Sequence, residues 1–171
     1  MSYNVKKEKQ DAIPARKEFR TFEDLEVYQV ARDFRKKMYG VARGLPNFEK
    51  YDLGSQIRRA AVSLTNNIAK GHGRYHFADQ VRFFLGSRGS LQELVDDINV
   101  CADEKYLEAE QIELLKSDAW RVLGLINGYL RYLRDRKVGS ESVVREESLN
   151  STETAEAWAL LNEALNAAAP F

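Results

Sequence analysis

The chain has 171 residues, 44% of them apolar and 30% charged, with 26 basic and 26 acidic side chains. That balance suits one globular domain with tail to spare and excludes a disordered composition; no apolar run reaches the ~18 residues of a membrane helix. A single cysteine, Cys101, excludes a disulfide framework and a cysteine-based zinc site.

Residues 1–20 form a basic N-terminal tail carrying a net charge of +3. The tail lacks the apolar stretch of a secretory signal, so a cytoplasmic location is expected. From there on, apolar residues recur at helical steps of three and four, and strand-type alternation is absent.

The first helix is predicted over Phe22–Arg43, with Thr21 as N-cap, Asp24 three positions on, and Gly44 and Pro46 as the stop. The second is predicted over Leu53–Lys70 behind an Asp52 cap, with Leu53, Ile57, Ala60, Ala61, Leu64 and Ile68 as its apolar stripe. The third, Phe77–Ala102, holds Gly86-Ser87-Arg88-Gly89-Ser90 at its centre. Two glycines inside a helix cost about 2 kcal/mol relative to alanine, so either another helix approaches closely there or the helix breaks. The fourth, Glu108–Asp135, starts with Glu108, Glu110 and Glu113 and ends with Arg131, Arg134, Arg136 and Lys137. Acid first and base last suits the helix dipole and accounts for the terminal arginines without a ligand.

Residues 138–171 carry a net charge of −5. They read as an acidic linker followed by a short amphipathic stretch, Thr154–Ala168, with Trp158, Leu161 and Leu165 on one side. Alone in water such a helix is marginal: it docks on something or stays unfolded. The fold class expected is all-α, an antiparallel up-down four-helix bundle over residues 21–137. An acidic C-terminal tail with a short fifth helix follows it.

Catalytic and metal signatures are missing. The only histidines are His72 and His76, which stand at a helix connection beside glycines, and no Glu-x-x-His pair accompanies them. There is no nucleophile elbow, phosphate loop or dinucleotide fingerprint. Cys101 lies on an apolar stripe and reads as a small core residue. The expectation is therefore no catalytic residues, no metal, no cofactor and no enzyme activity.

The charge is segregated along the chain. Between Leu53 and Gln92 stand Arg58, Arg59, Lys70, Arg74, Arg82 and Arg88, against Asp79 as the one acid. Such a segment is either a set of solvated and salt-bridged helix faces or a patch that binds polyanions.

Two stretches go beyond a generic helix pattern. They are Phe22-Glu23-Asp24-Leu25-Glu26-Val27-Tyr28-Gln29-Val30-Ala31 and Ser55-Gln56-Ile57-Arg58-Arg59-Ala60-Ala61-Val62-Ser63-Leu64-Thr65-Asn66-Asn67-Ile68-Ala69-Lys70-Gly71. With Arg82-Phe83-Phe84-Leu85 and Gly89-Ser90-Leu91-Gln92-Glu93-Leu94, they resemble the 23S rRNA intervening-sequence proteins, bacterial four-helix bundle proteins, over residues 22–135. The resemblance implies a bundle assembled as a ring-like homopentamer. It also implies kinship with the accessory variability determinants of diversity-generating retroelements, pentameric barrels that bind nucleic acid and a reverse transcriptase. The family name describes where founding genes lie and specifies no activity. Two departures stand out: Thr65 replaces the usual proline of the second motif, and Lys70 replaces its glutamate, making the second helix more basic.

The function expected is a non-enzymatic, homo-oligomeric accessory protein that binds RNA or DNA through Arg58, Arg59, Lys70, Arg74, Arg82 and Arg88. Arginine contacts of this kind position a phosphate backbone and do not read bases. Arg58 shares its side of the helix with Val62, Thr65 and Ala69, so a subunit interface is its alternative place. The alternative for the whole protein is an oligomeric interaction scaffold without nucleic-acid binding, in which Gly86, Ser87, Gly89 and Ser90 form the oligomer interface. A reverse transcriptase is the kind of protein partner the resemblance implies, and no membrane partner is expected.

Overall fold

The computed structural model describes residues 21–141, with side chains to residue 136; the tail 1–20 and the amphipathic stretch 154–168 lie outside the described residues. Four helices carry the fold: α1 Glu26–Gly44, α2 Leu53–His72, α3 Phe77–Asp103 and α4 Ala109–Glu141. No strand occurs among the described residues.

The helix ends show which local signals acted. Thr21 Oγ1 accepts from the Glu23 amide at 3.1 Å, and the Asp24 carboxylate accepts from the Thr21 amide at 3.0 Å. This reciprocal cap closes a single 3₁₀ turn, Phe22–Asp24, and α1 begins just behind it. Asp52 makes no side-chain cap on α2. Glu49 stands in for it: one carboxylate oxygen accepts from the Leu53 amide at 3.3 Å and the other from the Tyr106 hydroxyl at 3.0 Å. One side chain thus satisfies a free amide of α2 and ties down the connection between α3 and α4.

α3 runs unbroken through the glycine–serine segment. It ends on Lys105 at φ 59°, with the Tyr106 amide reaching back to the Cys101 carbonyl at 2.8 Å. That is the six-to-one closure usually built on glycine, here imposed on a lysine. α4 continues past the expected Asp135 to Glu141. No proline stands there to stop it, and Gly139 alone costs only about 1 kcal/mol.

Each helix packs on its chain neighbours, and α4 closes back on α1. The pairings are antiparallel. On α1 and α2, Arg35 meets Thr65 while Ala42 lies by Gly54. On α2 and α3, Ser63 meets Ser90 while Gly71 lies by Phe84. The core holds Phe34, Met38, Ile57, Leu64, Ile68, Phe84, Leu91, Leu94, Ile98, Ile126, Leu130 and Leu133, all withdrawn from water. Burying each stabilises the fold by about 1.5–3 kcal/mol. Every member of the apolar stripe expected on α2 is buried. No helix among the described residues is long and apolar enough to cross a membrane.

Candidate nucleic-acid interface

Burying the stripe of α2 turns its opposite side outward. That side lines a shallow groove of about 480 Å³ with Ser55, Arg58, Arg59, Val62, Ser63, Asn66, Asn67 and Lys70, and α1 adds Tyr39. No Asp or Glu is among these lining residues. Arg59 and Lys70 are eleven positions apart, about three helical turns, so they project from the same face. Both are exposed, and the ion pairs among the described residues use neither.

Arg58 is half-buried and committed within the chain: its guanidinium donates to the Lys50 carbonyl at 2.7 Å. It clamps the turn before α2 against the helix and only its remaining donors face the groove. Arg74 lies beyond the end of α2, its guanidinium 4.8 Å above the Phe83 ring. Arg82 and Arg88 stand on α3, six residues apart and therefore about 120° apart around the helix. Arg82 is exposed and Arg88 half-buried. The fold thus brings Arg58, Arg59 and Lys70 to one groove and leaves Arg74, Arg82 and Arg88 outside it.

Two groups on α1 were not singled out from the sequence. Tyr39 lines the groove, and Arg35 donates to Thr65 Oγ1 at 2.8 Å. Thr65 is buried, so the residue standing where the family motif has proline receives a cation from α1. The spacing Arg32, Arg35, Tyr39, Arg43 repeats at three and four and is the signal that would have found this face.

The small residues of α3 explain the close approach of α2. Ser87 is fully buried and donates to the Leu64 carbonyl at 2.8 Å. Ser90 donates to Ser63 Oγ at 2.8 Å. A Cβ on Gly86 would touch the Asn67 side chain at 3.4 Å, whereas one on Gly89 would meet nothing within 4 Å. Ser87 and Ser90 therefore face α2 of the same chain, and Gly86 and Gly89 are the two of the four at the surface.

His72 is half-buried, and burial lowers its pKa, which favours the neutral ring; His76 is exposed. Among the described residues no group of His, Cys, Asp and Glu is placed to hold a metal ion. Cys101 is fully buried, and burial pushes its thiol up to about 11, so it is protonated and unreactive at neutral pH.

Among the described residues the chain is a four-helix bundle, and the groove lies on its outer face. The chain belongs to the 23S rRNA-intervening sequence protein family, whose model matches residues 23–128, from the first turn into the second half of α4. No curated protein matches the chain.

Proposed function

We propose that this protein is a non-enzymatic, cytoplasmic nucleic-acid-binding accessory protein that works as a homo-oligomer, a pentamer by its family resemblance. The outer face of α2 contacts phosphates. One observation carries the proposal: Arg59 and Lys70 project together into a groove lined with Ser63, Asn66 and Asn67 and with no carboxylate. Arginine and lysine there supply charge, and the hydroxyl and amides supply neutral donors to phosphate oxygens. A ring repeats the groove in every subunit, so modest contacts at one site add by avidity. Arg82 and Arg88 extend the positive field along α3 without sharing the groove.

The test is equilibrium binding of a short structured RNA at low and at high salt, with light scattering to fix the subunit count. Binding that falls steeply with salt is expected, because phosphate contacts release counterions. The double variant Arg59→Glu, Lys70→Glu should weaken binding at all sequences alike while leaving the fold intact, since both side chains are exposed. An oligomer that ignores RNA at both salts would refute the proposal and make the chain an interaction scaffold.

A further inference from the structure

At the end of the bundle where α2 passes into α3, the chain displays aromatic rings beside its cations. Tyr75 is 91% exposed, the most exposed of the large apolar side chains in the described residues. The His76 ring stands edge-on to it at 5.3 Å between centroids. Next to them the Arg74 guanidinium lies over the Phe83 ring. Its backbone is held as well, because Gln80 Nε2 donates to the Arg74 carbonyl at 2.9 Å. Lys70 in the last turn of α2 and Arg82 in the second turn of α3 flank this loop, at the level where Gly71 meets Phe83 and Phe84.

Burial does not explain Tyr75, whose ring supports no core. An unburied phenol ring leaves apolar surface in water that a helix connection of this length does not require. The residue types together do have a shared use. The guanidinium over Phe83 and the exposed Tyr75 ring are both planar groups. Flat faces of this kind receive unpaired bases, while flanking cations hold the phosphates on either side. Duplex nucleic acid keeps its bases stacked on each other and has none to offer.

From this geometry we propose that the α2–α3 loop is a stacking site for single-stranded nucleic acid, with Tyr75 and Arg74 receiving unpaired bases and Lys70 and Arg82 holding the adjoining phosphates. The inference rests on the nucleic-acid reading above and narrows it to unpaired strands. Lys70 belongs to both surfaces: the α2 groove holds backbone of any kind, and the loop selects unpaired bases.

The test compares an oligouridylate, an oligodeoxythymidylate and an RNA duplex of matched length, measured by anisotropy on the full chain. Tighter binding of either single strand than of the duplex is expected, and the tighter of the two names the sugar. Tyr75→Leu keeps an apolar side chain but loses the ring; Arg74→Lys keeps the charge but loses the plane. Each should weaken single-strand binding about 5-fold or more and leave duplex binding unchanged, whereas Tyr75→Phe should bind like the parent. If Tyr75→Leu binds both forms like the parent, the stacking site is wrong and the groove reading stands. If the parent chain binds neither single strand nor duplex, both fall together.

Discussion

Asp97 offers the sharpest test of the energetics of this fold. It stands on α3, only 6% exposed, and its Oδ2 has no hydrogen-bond partner among the described residues. Burial, and then the neighbouring charges of Glu93 and Asp96, push its carboxyl from 3.8 up to about 6. A raised folded-state pKa means that the folded chain holds the proton more tightly than the unfolded chain does. The stability this provides is present in acid and is lost as pH climbs through about 6. The rise from 3.8 to about 6 sets a ceiling of about 3 kcal/mol, and water reaching Glu93 and Asp96 screens part of that, leaving about 1–2 kcal/mol. Between about pH 5 and about pH 8 the unscreened loss is about 1.4 kcal/mol. Asp97→Asn keeps the size and cannot ionise. Urea unfolding of both proteins at the two pH values isolates this group, because the other carboxylates cancel in the comparison. The variant should gain about 1 kcal/mol on the parent between about pH 5 and about pH 8. A difference that stays constant with pH, or one that favours the parent at the higher pH, would refute the assignment.

Other expectations follow from contacts described above. Gly71→Ala would place a Cβ 2.8 Å from the Phe84 ring and 3.2 Å from Phe83 Cβ. Overpacking of this kind should destabilise by about 1–3 kcal/mol in urea unfolding, whereas Gly89→Ala, facing open space, should stabilise by about 0.5–1 kcal/mol. Glu49→Ala should cost about 1–2 kcal/mol by removing both the α2 cap and the Tyr106 bond, while Asp52→Ala should fall within about 0.5 kcal/mol of the parent. Lys105→Gly should raise the thermal midpoint, since it relieves a left-handed residue strained by about 1 kcal/mol.

The groove and the loop divide the basic residues differently from the order of the sequence. Charge counted along the chain runs Arg58 to Arg88 into one segment. In the fold, Arg58 is drawn inward to the Lys50 carbonyl, and Arg88 turns away from Arg82. Arg58 still lines the groove, α1 adds Tyr39 to it, and the Arg35 bond to Thr65 ties α1 to α2. A groove between two helices draws on residues far apart in sequence, so a local charge count finds at most one of its walls.

Helix number, order and buried faces were legible from spacing alone, because amphipathic helices declare their period of 3.6 residues locally. Leu53 to Ile68 on α2 is the clearest case. The family was legible too, through the wording of its motifs. Three things required the tertiary structure. Ser87 and Ser90 belong to the α2–α3 contact within the chain, a fact set by helix register and not by composition. Glu49 caps α2 in place of Asp52 because a turn carries its carboxylate back to the Leu53 amide. Asp97 is buried, with its Oδ2 unpartnered among the described residues, because its side of α3 packs down, although the sequence shows only one more acid among three. Periodicity fixes which face of a helix is apolar, but which polar group meets which depends on register and rotation between helices, and those are settled only when the whole core packs.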